Sequence, residues 1–426
     1  MRAGNKRKEQ SVQRLERITV FVLLLLATGA GQSFLVNPEA STNSHGQPVT
    51  QVIFGVLYLL LILFLVKRRT AALKLLVQER WLAALCLWAI FSVAWSVEPG
   101  ESLRRSLALI GVTVTGLYLG LLYEPKDQLK AIAYVMGLGA IGSVLVSIAA
   151  PAIGFMPTGE MQGVYFLKNS LGHAMSLGAF CFALLALSER RRRAVHIFMF
   201  FLCGVLLVLS KSATALVVTM LMIAILPFRR LLYLRTRQLL AAVAVVVPIL
   251  AAATFWVVES SENILSALGR ESSLSGRIPL WRLVLREIAD RPIRGFGFSA
   301  FWNSWNGERV SDAAAWDNAV PHAHNGFLEV WLGLGLIGLA LILISLSRNF
   351  ASGLRVARSR RDTADTWPLL LVICTALYNL TENSFLVVNS APWIAYCAAS
   401  YWLIRAVREE AFEPQSEPHA EPAYSS

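Results

Sequence analysis

Charge is scarce in this chain: 15% of its 426 residues are Asp, Glu, Lys or Arg, against 56% that are hydrophobic. So few polar side chains could not cover a soluble fold of this length, which excludes an ordinary water-soluble enzyme. Cysteine is scarce as well. Cys86, Cys181, Cys203, Cys374 and Cys397 all fall inside apolar runs. They therefore form neither a disulfide framework in water-facing loops nor a metal site with histidine. There is no HExxH, no Walker loop, no GxGxxG ahead of a strand and no paired-Asp metal motif, so nothing points to a cofactor or a metal. No repeat relates the two halves. The net charge of +12 raises nucleic acid as a partner, but the basic residues sit in short clusters between apolar runs. That is how a membrane protein sets its orientation.

What is present is a series of apolar runs near the 20 or so residues a spanning helix needs. Twelve candidates read out as 18–36, 49–66, 81–97, 106–123, 131–150, 169–187, 194–210, 213–228, 238–257, 326–346, 367–380 and 385–404. The expected fold class is an all-α polytopic membrane protein with about twelve transmembrane helices. Counting the tails and every second connection as cytoplasmic gathers 28 of the 39 Lys and Arg on one side. Of the 11 on the other side, seven fall in one long loop. Both termini are then expected inside. The organisation follows: a basic cytoplasmic tail at 1–17, spans one to nine over 18–257 and a periplasmic loop domain at 258–323. Three further spans occupy 324–404, and a Pro/Glu/Ser-containing tail at 405–426 is expected to be disordered. The first run is expected to be an uncleaved anchor, although Thr28-Gly29-Ala30 is a weak cleavage site.

The long loop carries the chemistry. It holds Trp281, Trp302, Trp305 and Trp316, and its 279–291 stretch predicts a helix with Leu280, Val284 and Ile288 on one face beside Trp281 and Leu285. Arg270, Arg277, Arg282, Arg286, Arg291 and Arg294 lie close together next to the membrane surface. The planar fork of arginine suits a diphosphate, and Arg282 and Arg286, four apart, repel unless an anion sits between them. A solvated basic face tempered by Glu271, Glu287 and Asp290 is the other reading. His324 stands at the head of the tenth run, where water, headgroups and a helix N-terminus meet. A neutral imidazole there could take a proton, or it could simply cap the helix. His322 is expected to point elsewhere and be structural, and His173 to be a core histidine. Lys168, Lys211, Arg104, Arg105 and Glu382 are the remaining charges on the outer side, and snorkelling explains any one of them. Glu329 is the one acid inside a run, so it is a functional candidate.

His324-Asn325, followed after nine residues by Gly335 and then by Gly338, resembles the signature of the bacterial O-antigen ligase superfamily. Ser275-Gly276-Arg277 with Trp281, the run RPIRGFGFSAFW (291–302), LKNSLG (167–172) and LTENS (380–384) are similar to it in the same order. The resemblance implies transfer of a glycan from undecaprenyl diphosphate to an acceptor sugar hydroxyl on the periplasmic side, without nucleotide or metal. Arg277 would then engage the diphosphate and His324 would activate the acceptor. Lys168, Lys211, Arg104, Arg105, Arg282 and Arg286 would be further diphosphate candidates. In LSKSATAL, Ala213 stands where many relatives carry arginine, and Lys211 could supply that charge. The implied acceptor is lipid A-core in a ligase, or a growing polysaccharide in the exopolysaccharide and O-antigen polymerase branch. A secondary transporter also fits twelve spans, but the missing half-repeat and the sparse intramembrane charge count against it.

Overall fold

Proline opens three of the long apolar helices, where its missing N–H would have no partner anyway. These are α2 (Pro48–Val66), α5 (Pro99–Leu122) and α6 (Pro125–Ala149) in the computed structural model. The structure describes residues 2–31, 34, 48–228, 238, 277–314, 320–360 and 362–412. The other helices that build the molecule are α1 (Arg2–Ala27), α3 (Arg69–Gln78), α4 (Arg80–Phe91), α7 (Lys168–Ser188), α8 (Arg193–Leu209) and α9 (Ala213–Phe228). They are followed by α10 (Arg277–Asp290), α11 (Trp305–Ala313), α12 (Gly326–Arg360), α13 (Trp367–Tyr378) and α14 (Ala391–Phe412). Among the described residues there is no sheet, only an isolated bridge between Phe155 and Met161.

Six of these helices are long and apolar enough to cross a membrane, or seven if α3 and the helical stretch Arg80–Trp95, bent by 85°, count as one span. The chain is a multi-pass membrane protein. Burial sorts its helices into layers. α14 lies at the centre, with Trp393, Tyr396, Cys397, Tyr401 and Trp402 all buried. It fits against α5 because Gly116 and Gly120, four apart, lack side chains: an added Cβ would stand 2.3 Å from the Cys397 Cβ and 2.6 Å from the Tyr401 Cβ respectively. Such a small-residue stripe lets two membrane helices approach closely. α2 and α8 lie outside and turn Val52, Leu59, Phe198, Phe201 and Val205 outward. In lipid that exposure costs nothing.

The run 238–257 and the loop up to Gly276 lie outside the described residues, as does the tail from 413 on. The loop helix is described over Arg277–Asp290, two residues ahead of its predicted start. Leu280, Val284 and Ile288 are buried as expected, but Leu285 is exposed and does not share their face. After it, Gly295 and Gly297 turn the chain with φ of 69° and 102°.

That turn explains the paired glycines of α12. Gly335 breaks the helix with φ 68° and ψ −172°, a region open essentially to glycine alone. The break receives the loop: Leu336 N–H donates to Pro292 O, while Phe296 and Gly297 N–H donate to Leu332 and Gly333 carbonyls that the broken helix leaves unpaired. A Cβ on Gly335 would stand 2.0 Å from Ile293 O. The loop is thus locked onto the membrane helix by hydrogen bonds across an interrupted turn.

Candidate active site

His324-Asn325-Gly326 does three separate jobs at the head of α12. Asn325 caps the helix, its Oδ1 accepting from Phe327 N (3.0 Å) and Leu328 N (3.1 Å). Its Nδ2 reaches across to Leu380 O at 3.1 Å. Gly326 donates its N–H to Asn379 O and Glu382 O, and a Cβ there would fall 1.9 Å from Asn379 Oδ1. Asn379 in turn folds the connection back on itself, bonding Ser384 and Phe385. The head of α12 and the 379–385 connection are therefore one rigid unit. It holds His324 in a left-handed conformation, φ 48°, a cost of about 1–3 kcal/mol that the surrounding bonds offset.

The product of this clamp is a buried junction around Glu382. Its Oε1 lies 2.5 Å from Arg277 Nη2, and its Oε2 is 3.3 Å from His324 Nδ1. The second nitrogen of the guanidinium, Nη1, donates to Thr381 O at 2.5 Å. Arg277, Glu382 and His324 are each buried. Burial alone would push the Glu382 carboxyl up; the hydrogen bond from His324, with His173, Arg277 and His324 as neighbours, holds it well below the usual carboxylate range instead. An ionised carboxylate on Nδ1 keeps the hydrogen there and makes Nε2 the basic nitrogen of His324. The sequence reading quoted Glu382 only as one charge in LTENS. Its role was hidden because its partners lie 58 and 105 residues away.

Two histidines depart from expectation. His322 does not point elsewhere: its ring centroid is 4.2 Å from that of His324, and its Nδ1 accepts the His324 backbone N–H at 3.2 Å. Burial, reinforced by His324, pushes its imidazole down to about 3, so it is neutral in any physiological medium. His173 is no satisfied core residue, because its Nε2 is buried without a hydrogen bond and lies 3.8 Å from Glu382 Oε1. His322, His324 and Glu382 also offer three ligand atoms within 4.8 Å of one another, which corrects the expectation that the sequence holds no such cluster. Its fit to a metal is poor. Both carboxylate oxygens already hold partners, and a divalent cation would face the Arg277 guanidinium beside it.

The outlying cations separate into groups. Lys168 pairs with Glu160 at 3.2 Å. Arg105 pairs with Glu101 at 2.6 Å, and Arg104 holds the same carboxylate. Lys211 is exposed in the turn between α8 and α9, with φ 50°. That turn packs against Gly172 of α7, where a Cβ would meet Ser212 at 2.8 Å. Arg282 and Arg286 do not join the junction. Five and nine residues beyond Arg277, they are rotated about 140° and 180° around α10, and both are exposed.

Two chambers reach the histidines next to the junction, His173 and His322. One, about 300 Å³, is lined by Ser170 and His173 of α7, by α13 and by the 383–392 connection. The other, about 250 Å³, lies between the 298–303 segment, Arg105, His322, Glu329 and the same connection. Asn383, Val387 and Val388 border both. Glu329 accepts Trp302 Nε1–H at 3.0 Å and Ala323 N–H at 2.8 Å, so it braces the wall of the second chamber.

Residues 197–343, from α8 through Arg277, His324 and the Gly335 break, match the family model described as O-antigen ligase. Over this stretch the chain is related to the O-antigen ligase family. Among curated relatives, it is 27% identical over 293 residues to the exopolysaccharide production protein ExoQ of Rhizobium meliloti (strain 1021), covering 65% of each chain. It is 26% identical over 132 residues to a protein of Rickettsia prowazekii (strain Madrid E) provisionally named a polysaccharide ligase, covering 30% of this chain and 32% of that one. A similarly named protein of Rickettsia bellii (strain RML369-C) is 36% identical over 74 residues, 17% and 18% of the two chains. The chain therefore spans just under two thirds of the rhizobial relative and a third or less of the rickettsial ones. The names of these relatives favour a glycan-transferring enzyme over the transporter reading.

Proposed function

We propose that this protein transfers a glycan from undecaprenyl diphosphate to a sugar hydroxyl of lipid A-core, at the periplasmic face of the bacterial inner membrane. The observation that carries the reading is the Arg277–Glu382–His324 junction, which sets a fixed cation and an oriented base on one buried carboxylate. In the reaction the acceptor O–H yields its proton to His324 Nε2 as its oxygen bonds the anomeric carbon. The bond from that carbon to the diphosphate oxygen breaks, and the negative charge leaves with the lipid diphosphate. Arg277, with Lys168 and Lys211 nearer the surface, stabilises that charge in a site shielded from water. In-line displacement inverts the carbon. Deleting the gene tests the reading. Lipopolysaccharide without its O-polysaccharide, together with intact lipid-linked polymer, is the expected phenotype.

A second acceptor is favoured by the alignment with the exopolysaccharide production protein, which covers more of the chain than the ligase alignments do. On that reading the protein polymerises exopolysaccharide with the same donor chemistry. Accumulated single repeat units and normal lipopolysaccharide in the deletion strain would establish it in place of the first.

In the proposed topology of twelve spans with both ends in the cytoplasm, the junction lies outside. The five native cysteines are buried, so an added one reports cleanly. A cysteine replacing Asn306 is expected to react with an impermeant thiol reagent applied from outside, and one replacing Arg191 is not. The reverse pattern would place the site in the cytoplasm and end the proposal.

The reaction is also proposed to need no metal, since Glu382 is committed to Arg277 and His324. Purified protein is expected to turn over at an unchanged rate in excess chelator. Activity that vanished and returned only with a divalent ion would put that ion on His322, His324 and Glu382.

A further inference from the structure

We propose that Trp281 and Glu329 are positioning residues for His324: from α10 and α12 they hold the two peptide groups that lead into the base. The assignment rests on the glycan-transfer reading above and adds what fixes its base. Ala323 is fully buried, and side chains take up both of its backbone groups. Its N–H donates to Glu329 Oε2 at 2.8 Å, and its carbonyl accepts Trp281 Nε1–H at 2.9 Å. The next N–H, on His324, goes to His322 Nδ1 at 3.2 Å. This grip completes the one downstream. His324 sits at φ 48°, and that strain relaxes by turning about its N–Cα bond. The clamp on Asn325 and Gly326 stops the chain beyond from moving, so the 323–324 peptide would have to turn instead. Turning it breaks the bonds to Trp281 and His322 together. It also draws His322 away from the His324 ring, whose centroid is 4.2 Å from its own. Misplacing a reacting group by about 1 Å can cost on the order of a hundredfold in rate.

Two features set these contacts apart from general packing. Trp281 is only partly buried, while Leu280, Val284 and Ile288 already seat α10 in the core. Four residues beyond Arg277, Trp281 lies about 40° further round the same helix. One rigid element therefore carries both the cation of the junction and the latch on its base. Glu329 receives donors alone. Trp302 Nε1–H stands 3.0 Å from each of its oxygens, beside the N–H of Ala323. In Glu329→Gln, whichever way the amide turns, an NH2 group would face the Trp302 N–H, so the grip loosens with little change of shape.

Trp281→Phe keeps a ring and removes the N–H. In the full-length protein with lipid-linked donor and acceptor, it is expected to lower kcat about tenfold or more and to leave both KM values within about twofold. Glu329→Gln is expected to lower kcat by a similar factor. Trp331→Phe removes a like bond, to Pro292 O at 3.0 Å, and is the control expected to stay near the wild-type rate. A second readout needs no turnover. Diethyl pyrocarbonate labels imidazole, and peptide mass spectrometry is expected to show His324 labelled several times faster in Trp281→Phe than in wild type. Wild-type kcat and labelling in Trp281→Phe would overturn the proposal. A raised donor KM with unchanged labelling would also overturn it, since Trp281 would then only seat α10 and Arg277. If the wild type transferred no glycan, the transfer reading would fall, and the labelling rate would still decide whether Trp281 holds His324.

Discussion

His324→Ala is expected to slow glycan transfer about 10²- to 10⁴-fold while binding undecaprenyl diphosphate with near wild-type affinity, because a general base acts on the acceptor proton and not on the donor diphosphate. The measurement pairs transfer rate with donor binding on the same purified protein. His322→Ala is the comparison. His322 accepts the His324 backbone N–H and stands beside its ring, so a smaller loss is expected from misalignment of the base. If His324→Ala transferred at the wild-type rate, or lost donor affinity as badly as an Arg277 variant, the base assignment would fall. His324 would then be a structural partner of Glu382 only.

The second large effect concerns the pair behind the base. Arg277→Ala leaves Glu382 buried without its cation, a kind of break that typically costs about 3–5 kcal/mol. It is expected to lose donor affinity, rate and thermal stability together. Arg277→Lys retains the charge but cannot hold Thr381 O and Glu382 at once with a planar fork. It is expected to remain strongly impaired, and full activity would show that charge alone suffices. Glu382→Gln keeps the shape and removes the ionised acceptor that fixes the His324 tautomer, so it is expected to lose rate with donor affinity largely kept. Because both partners act through one contact, the double variant should lose less than the sum of the singles. The pH dependence has a definite sign. Glu382 titrates lower in the folded protein than in the unfolded chain, so its stabilising contribution is complete above the unfolded carboxyl range and is lost as pH falls from there through the folded one. The melting gap between wild type and Glu382→Gln should therefore hold from neutral pH down to about 5 and close only below that. A gap that closed between pH 7 and 5 would mean that the carboxylate is not held by Arg277 and His324.

Much of the membrane architecture was legible because apolar length and proline position act locally. The α2, α7 and α8 helices fall close to their runs, since backbone groups in lipid must bond within the segment. Boundaries were less legible where polar turns continue a helix. α12 runs on to Arg360, some 14 residues past its apolar stretch, because Val356 and Ala357 keep a buried face there against Trp402 of α14 and Leu369 of α13. That Arg282 and Arg286 lie away from Arg277 was not legible for a related reason. Spacing places residues around one helix but not the helix against its neighbours, and α10 docks by the face opposite them.

The sequence by itself determined the all-helical membrane class and named two of the three residues at the junction as candidates, His324 and, through the resemblance, Arg277. An apolar run and a polar residue at a helix head are local signals, and so is a short motif. Only the tertiary structure decided what those residues are joined to. Glu382, the closeness of His322, the orphaned nitrogen of His173 and the two chambers all arise where connections distant in the chain are clamped together by Asn379, Gly326 and the break at Gly335. A buried carboxylate chooses its partners by desolvation and distance, and neither quantity is written in the local order of residues.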